Sequence, residues 1–417
     1  MNMPPQVAAI LQKLNDRGYE AYIVGGCVRD KLLGLEPHDW DVTTSALPHE
    51  IQRSLSDFKL LDTGIQHGTV TALVDKMPVE ITTFRVDGKY SDNRHPDQVQ
   101  FTRDIREDLA RRDFTINAIA YHPDTGVIDC FHGASDINHQ IIRCVGEPGL
   151  RFEEDGLRIL RALRFASVLA FTINPETSRS LIQKRGLLEQ IAFERIREEF
   201  VKLICGKNTE FILQNYREVT EVFIPELHTL YSREPDAWKH TLKCVTETEA
   251  IPVLKMTMLL HDFDDKGCET AQRILKRLRF DNKTVNKVSR LIQYDDIDIS
   301  TDEISIKHFL NKIGFEDFTL LLKLKIAGAL AGSNDTRLEI ERLKEIDSVL
   351  SGIMESNSCF SLDGLAITGN DLIAVGIPKG PEIGKQLNSL LNDVIENRCP
   401  NEYYTLLNRL KDRKAGL

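Results

Sequence analysis

Residues 25–42, GGCVRDKLLGLEPHDWDV, bring a glycine pair, an arginine and two aspartates into one short stretch. Asp39 and Asp41 stand two residues apart, and on a strand that spacing points both carboxylates to the same face. Converging hard oxygen anions suit Mg²⁺, which favours carboxylates and substrate phosphates over nitrogen or sulfur. Gly25 and Gly26 carry no Cβ, so backbone N–H groups there can approach a phosphate, and the helix start that follows adds a favourable dipole. Arg29 supplies a cation on that helix. The chemistry such a set would perform is metal-assisted nucleotidyl transfer. Acids at i and i+2 are common on solvated strands; the company of the glycine pair and Arg29 sets these two apart.

Further along, more side chains are of types that serve the same reaction. In LARRDFTINAIAY (109–121), Arg111 and Arg112 precede an apolar segment, a place from which an arginine pair can grip phosphate oxygens bidentately. Surface arginine pairs are also ordinary. Glu80, on the alternating run VEITTFR, is either a third carboxylate facing Asp39 and Asp41 or a plain surface glutamate. From Arg151 the texture turns helical: in RFEEDGLRILRALRFASVL, Leu157, Leu160 and Leu163 mark an apolar side. Arg158, Arg161 and Arg164 recur every three residues, each displaced by roughly 60° about the axis. A solvated basic edge would look the same.

Asp155 and Arg158 are more particular, because i and i+3 share one face of a helix. Such a pair can read a base. Cytosine and adenine each present an amino donor beside a ring acceptor, whereas uracil and guanine present the reverse. An aspartate accepting from the amino group and an arginine donating to the ring nitrogen take C and A. A wrong base leaves a buried polar group unpaired, at a cost of about 1–3 kcal/mol.

These groups need a scaffold of strand, turn, helix and strand. Tyr22-Ile23-Val24 reads as an apolar strand entering the glycine turn, and the aspartates follow on a second strand. An amphipathic helix over 5–18 (Val7, Ile10, Leu11, Leu14) precedes them, and a helix capped by Ser45 runs to Leu55. HGTVTALVD and VEITTFR are β-rich. Residues 85–100, RVDGKYSDNRHPDQVQ, read as a long polar loop of the kind that is functional or mobile. Beyond about residue 206 the chain is nearly all helical.

The string GG-x-VRD-x(8)-DxD resembles the head of the class II tRNA nucleotidyltransferase and bacterial poly(A) polymerase family, within the polymerase-β-like nucleotidyltransferases. Arg111-Arg112-Asp113 is similar to the family's RRD motif, and Glu154-Asp155-x-x-Arg158 to the EDxxR element by which the family reads the incoming base. The resemblance implies an α+β fold. A polymerase-β-like nucleotidyltransferase head, a small mixed sheet with helices (1–145), would be followed by an all-helical neck (146–205), body (206–299) and tail (300–417). The implied activity is template-independent addition of CCA to the 3′ end of tRNA from CTP and ATP, releasing pyrophosphate. Asp39 and Asp41 would hold Mg²⁺, and Gly26, Arg29 and Arg112 the triphosphate. Asp155 and Arg158 would read the base, with Arg161 and Arg164 supporting the nucleotide.

The same resemblance makes 85–100, where Arg85, Asp87, Gly88 and Tyr90 match, a loop that moves between CTP and ATP. FERIREEFVKLI (193–204) is similar to a helix closing the neck, and GIPKGPEIGK to part of a tail that grips tRNA away from its acceptor end. A-adding, CC-adding and poly(A)-polymerase activities are the alternatives. The intact loop disfavours CC addition, and the tail is not the strongly basic C-terminus of a poly(A) polymerase. A catalytically dead RNA-binding protein is opposed by the intact DxD.

WKHTLKCV (238–245) and MLLHDFDD (258–265) resemble an HD phosphohydrolase, with His240, His261 and Asp262 in the expected places. Phe263-Asp264-Asp265 replaces the Gly-Lys that follows the HD pair. The expectation is therefore a degenerate HD-like body without catalysis, its metal binding left open.

Length and composition bound the rest. At 417 residues two to four domains are expected. No apolar run reaches the ~20 residues of a membrane-crossing helix, and the first residues lack a signal-peptide pattern. Eight scattered cysteines with no CxxC argue against disulfides and structural zinc and for a reducing cytosol. The expectation is a cytoplasmic protein with no membrane partner, a homodimer remaining open. A net charge of −10 opposes a generally basic RNA binder, but the local field is what phosphates feel. Residues 273–290 hold seven Lys or Arg against one Asp, as either a solvated helix face or a tRNA-binding face.

Overall fold

The glycine turn and the aspartates are carried by a seven-stranded mixed sheet near the N-terminus. The computed structural model describes the chain except residues 89–98, 234, 264–266, 333–335 and 416–417, so Tyr90, Asp264 and Asp265 lie outside the described residues. Its contacts divide it into two compact units: Met1–Ser232 with Arg277–Phe280, and Arg233–Lys276 with Asp281–Leu417.

In the first unit the strands are β1 (Ala21–Val24), β2 (Asp41–Thr44), β3 (Lys59–Gly64), β4 (Thr69–Val74) and β5 (Met77–Thr83), with β6 (Arg85–Asp87), β7 (Val99–Phe101), β8 (Ile119–His122) and β9 (Gly126–Asp129). The sheet order is β3-β4-β5-β2-β1-β8-β9. β1 sits inside it, which is why three of its four residues (Ala21, Ile23, Val24) are buried instead of alternating. β4 alternates, with Val70, Ala72 and Val74 inward. β2 and β5 run parallel, and Asp41 faces Glu80 in register.

The helices of this unit are α1 (Pro5–Asn15), α2 (Gly26–Leu32), α3 (Pro48–Ser54), α4 (Ile105–Ala110), α5 (Gly133–Asn138), α6 (Pro148–Glu154), α7 (Leu157–Leu169), α8 (Pro175–Gln183) and α9 (Phe193–Ile204). α1 buries Val7, Ile10, Leu11 and Leu14 as its period requires, and stops short of Gly18, whose φ of +85° turns the chain.

Three local expectations are corrected. α3 is not capped by Ser45: Pro48, with φ already helical, starts it, and Glu50 accepts the Leu47 N–H at 2.7 Å. Ser45 Oγ instead accepts the Glu20 N–H at 2.9 Å. The polar stretch 85–100, expected as loop throughout, has its ends paired as the antiparallel ribbon β6–β7, and 89–98 lie outside the described residues. The helix expected to run on from Arg151 breaks at Asp155, which is extended (φ −144°, ψ 106°), between α6 and α7. The next residue is Gly156, and the Asp155 carboxylate accepts the Leu157 N–H at 3.0 Å, capping α7.

The second unit is built of helices, among them Pro235–Glu247, Pro252–Leu260, Asn282–Asp295, Phe315–Ala331, Arg337–Glu355 and Pro381–Ile395. Near its C-terminal end Leu365, Ile367, Leu372, Leu390, Leu391, Ile395, Leu406 and Leu410 form a core of their own. GIPKGPEIGK does enter a helix: Gly380 precedes Pro381–Ile395, with the proline in its first turn. No described helix is long and apolar enough to cross a membrane.

Candidate active site

Gly25 follows β1 with φ +83° and ψ −132°, a conformation that L side chains rarely adopt. A Cβ there would stand 3.0 Å from Arg112 Nη1, so the bare backbone is what lets this guanidinium close over the turn. The turn, the start of α2, the two aspartates and the α7 arginines surround one cleft of about 510 Å³. Gly26, Arg29, Asp39, Asp41, Arg112, Arg161 and Arg164 all line it. β2 begins at Asp41, and Asp39 lies just before the strand, exposed where Asp41 is half-buried.

The acid end of the cleft is charged against its own interest. Burial pushes the Asp41 carboxyl up, Glu80 and Asp39 add like charge, and the resulting value is about 6 in spite of Arg112. Glu80, exposed on β5, is an electrostatic neighbour of Asp41 across the β2–β5 pairing. A donor set made of carboxylate oxygens fits a hard divalent cation.

The cationic end is held by a chain of acids and amides. Arg29 Nη1 donates to Asn117 Oδ1 at 2.7 Å, and Asn117 Nδ2 donates to Asp113 Oδ1 at 3.0 Å. Asp113 Oδ2 accepts from Arg161 Nη2 at 2.6 Å and Nε at 2.9 Å. Burial alone would raise the Asp113 carboxyl, but the Arg161 charge and the bonds from Asn117 and Arg161 outweigh it and leave it at about 2. Buried Glu199 on α9 forms ion pairs with Arg164 Nε at 2.6 Å and with Arg161 Nη1 at 3.5 Å. Phe165 lies among these cations, its ring centroid 3.8 Å from the Arg164 guanidinium carbon and 5.1 Å from that of Arg29.

Arg112 is steered differently. Buried Asp108 on α4 lies 2.8 Å from Arg111 and 3.5 Å from Arg112, and the two arginines hold its carboxyl below the usual range although burial opposes them. Arg112 Nε is buried with no protein acceptor among the described residues, and Arg112 lines the cleft.

Asp155 and Arg158 are not among the residues that line this cleft; the Arg158 N–H donates to the Asp155 carbonyl at 2.9 Å, and their side chains have other partners. Asp155 Oδ2 binds Arg195 Nη2 on α9 at 2.9 Å. Arg158 binds Glu154, the Arg151 carbonyl at 3.1 Å and the Arg111 carbonyl at 3.2 Å. The break at Asp155 removes the shared helical face that the i, i+3 spacing implied. A smaller cavity of about 180 Å³ lies beside them, lined by Asp87, Glu107, Arg111, Arg151 and Glu154. Asp87 is 3.1 Å from Arg85 and 3.8 Å from Arg111, so the root of the β6–β7 ribbon is tied to the RRD segment.

Sequence reasoning overlooked Asp108, Glu199, Arg195, Phe165 and Lys202. Lys202, exposed on α9, lines the cleft as a further cation. Phe165 and the α9 residues Arg195, Glu199 and Lys202 lie in segments quoted above, but nothing in their spacing marks them apart from their helix. The basic segment 273–290 is largely committed to ion pairs. Arg277 binds Glu226 at 2.5 and 3.0 Å, Arg279 approaches Glu194 at 3.8 Å, and Lys287 and Arg290 share Asp317 at 3.4 and 2.9 Å.

Comparison with known proteins now bears on the whole chain. The family described as poly A polymerase head domain matches residues 21–143. A probable RNA and SrmB-binding site of polymerase A matches 170–230, and a putative tRNA nucleotidyltransferase domain 2 matches 246–410. The CCA-adding enzyme of Limosilactobacillus fermentum is 37% identical over 95% of this chain and 94% of its own length. That of Enterococcus faecalis is 34% identical over 98% and 96%. The crystal structure of Bacillus stearothermophilus CCA-adding enzyme in complex with CTP superposes with a TM-score of 0.74 at 29% identity, covering 100% of both chains.

Proposed function

The chain belongs to the family of the CCA-adding enzymes, and from that membership we propose that its 510 Å³ cleft builds CCA onto the 3′ end of tRNA from CTP and ATP. The observation that carries this reading is that Asp39, Asp41, Gly25, Gly26, Arg29, Arg112, Arg161 and Arg164 line one cleft, with Glu80 in register beside Asp41. The reaction joins the terminal 3′-oxygen of the tRNA to the α-phosphorus of the nucleotide and breaks the bond to the leaving pyrophosphate. A divalent cation such as Mg²⁺, when held by Asp39 and Asp41, supplies Lewis-acid activation of the hydroxyl and charge stabilisation on the phosphates.

The chain's own groups do the placing. Arg112, close-packed on Gly25, and Arg29, oriented by Asn117, face the negative charge of the triphosphate, with the Gly26 backbone beside them. Arg161 and Arg164, locked on Asp113 and Glu199, keep fixed directions as the pyrophosphate charge grows. Asp155 accepts from the amino group of C or A. Its Oδ2 carries one donor from Arg195, and a carboxylate oxygen has room for a second. Arg158 donates to the ring nitrogen. The helical body and tail, 206–417, hold the tRNA, and the enzyme works in the cytosol.

Supplying tRNA lacking CCA, tRNA ending in C and tRNA ending in CC with each nucleotide alone tests this reading. Full CCA addition requires CTP use on the first two and ATP use on the third. ATP use on the third alone would mean A addition, and CTP use without ATP use would mean CC addition.

A further inference from the structure

In the second unit, among the described residues, three borderline and soft ligands meet: His240, Cys244 and His261, whose ligand atoms all lie within 4.8 Å of one another. His240 and Cys244 are i and i+4 on Pro235–Glu247, so they share a face, and Cys244 Sγ stands 3.3 Å from His240 Nε2. That separation is close to the ligand-to-ligand edge of a tetrahedral site with bonds of about 2.0–2.3 Å.

His261 follows the last turn of Pro252–Leu260, with its ring 5.8 Å from that of His240, centroid to centroid. Its Nδ1 lies 2.8 Å from the Met258 carbonyl oxygen. A carbonyl only accepts, so in the neutral ring with Nδ1 carrying the proton, Nε2 is the nitrogen left for a ligand. Asp262 Oδ1 lies 3.3 Å from that Nε2, and the other Asp262 oxygen accepts from Thr241 Oγ1 at 3.0 Å. A carboxylate is thereby braced at the edge of the cluster.

We propose that His240, Cys244 and His261 bind one transition-metal ion of the zinc class, with Asp262 or a water as fourth ligand, clamping Pro235–Glu247 to the end of Pro252–Leu260. Two imidazoles and a thiolate select such an ion over Mg²⁺, which makes this site chemically separate from the carboxylates of the cleft. On binding, the Cys244 thiol gives its proton to solvent and the sulfur bonds the metal; no electron is transferred.

The test uses full-length protein stripped with chelator and titrated with Co²⁺, then Zn²⁺. The expected result is one Co²⁺ per chain with a thiolate-to-cobalt charge-transfer band, displaced by Zn²⁺, and a melting temperature raised by Zn²⁺. Cys244→Ser should lose the band and the zinc-dependent rise while melting like the stripped wild type. His240→Ala and His261→Ala should cut zinc affinity by more than about tenfold. A D39N/D41N double variant should keep the band. Absence of the band in wild type, or its survival in Cys244→Ser, would overturn the proposal. Should a histidine variant fail to fold, Cys244→Ser and the stripped wild type decide the matter.

Discussion

Asp41 occupies a position that a lone carboxylate would leave. It is half-buried, in register with Glu80 and two residues from Asp39, and its carboxyl is pushed up to about 6. Asp41→Asn removes both a ligand and a like charge, so the fold should tolerate it while nucleotide incorporation falls to background. tRNA affinity should stay within about twofold, because no tRNA contact is assigned to the cleft acids. Retained incorporation would take Asp41 out of the reaction. Gly25→Ala probes the opposite wall. An L residue at φ +83° costs about 1 kcal/mol or more, and the new methyl meets Arg112 Nη1 at 3.0 Å. KM for CTP and ATP should rise together, by roughly tenfold for a displaced charge-assisted contact of about 1.4 kcal/mol. A change for one nucleotide only would place Arg112 near the base instead of the phosphates.

Asp155→Ala tests base reading at the same scale. The variant loses the acceptor for the amino group of C and A and also the repulsion toward the carbonyl of U and G. Selectivity, measured as kcat/KM for all four nucleotides, should fall by a larger factor than CTP use itself. Full selectivity with slower turnover would mean that the pocket selects by shape. The cleft residues Asp39, Asp41, Arg29 and Arg112 were legible because each stands in a contiguous motif, with spacing that survives folding. Asp108, Glu199 and Lys202 were not, because their meaning is a partner met only in space: the Asp113–Arg161 pair spans 48 positions of chain, and Arg161–Glu199 spans 38.

Elements tell a similar story. β4, α1 and the glycine turn follow from period and φ alone, but the run from Arg151 to Leu169 hid a break. Leucine and arginine periodicity continues through Asp155-Gly156, and only the capping bond to Leu157 shows where the axis restarts. The joint between the RRD segment and α7 is the Asp113–Arg161 pair, and its pH dependence has a definite sign. Asp113 is depressed from 3.8 to about 2, so its contribution is present above about pH 4 and is lost as pH falls through 2. At roughly 1.4 kcal/mol per unit that is about 2 kcal/mol. Asp113→Asn should therefore destabilise by about that amount at neutral pH, and the gap from wild type should close between about pH 4 and 2. Denaturant unfolding at several pH values measures it, and a gap that stays constant down to pH 2 would assign the cost to packing.

On the scale of the whole molecule, a net charge of −10 must be reconciled with a polyanionic partner. The basic stretch 273–290 is a weak candidate, because Arg277, Arg279, Lys287 and Arg290 already face carboxylates and leave Lys276 and Lys283 exposed. The turn at 376–385 is the other candidate: Lys379 and Lys385 are exposed around the start of Pro381–Ile395, Lys385 coming no nearer to Glu382 than 4.0 Å, and the helix dipole there favours a phosphate. Deleting everything after residue 300 would be a poor test, since it cuts through the second compact unit and uncovers the apolar core around Leu390 and Leu406. Neutralising charge is cleaner. Lys379→Ala with Lys385→Ala should weaken tRNA binding and lower the slope of log K against log salt by roughly 0.7–0.9 for each phosphate that is no longer neutralised. Incorporation at saturating tRNA should stay near wild type, because the cleft is untouched. Lys276→Ala with Lys283→Ala is the comparison. If that pair lowers the slope and the tail pair does not, the tRNA phosphates sit on the basic helices, and the turn before Pro381 is a structural corner.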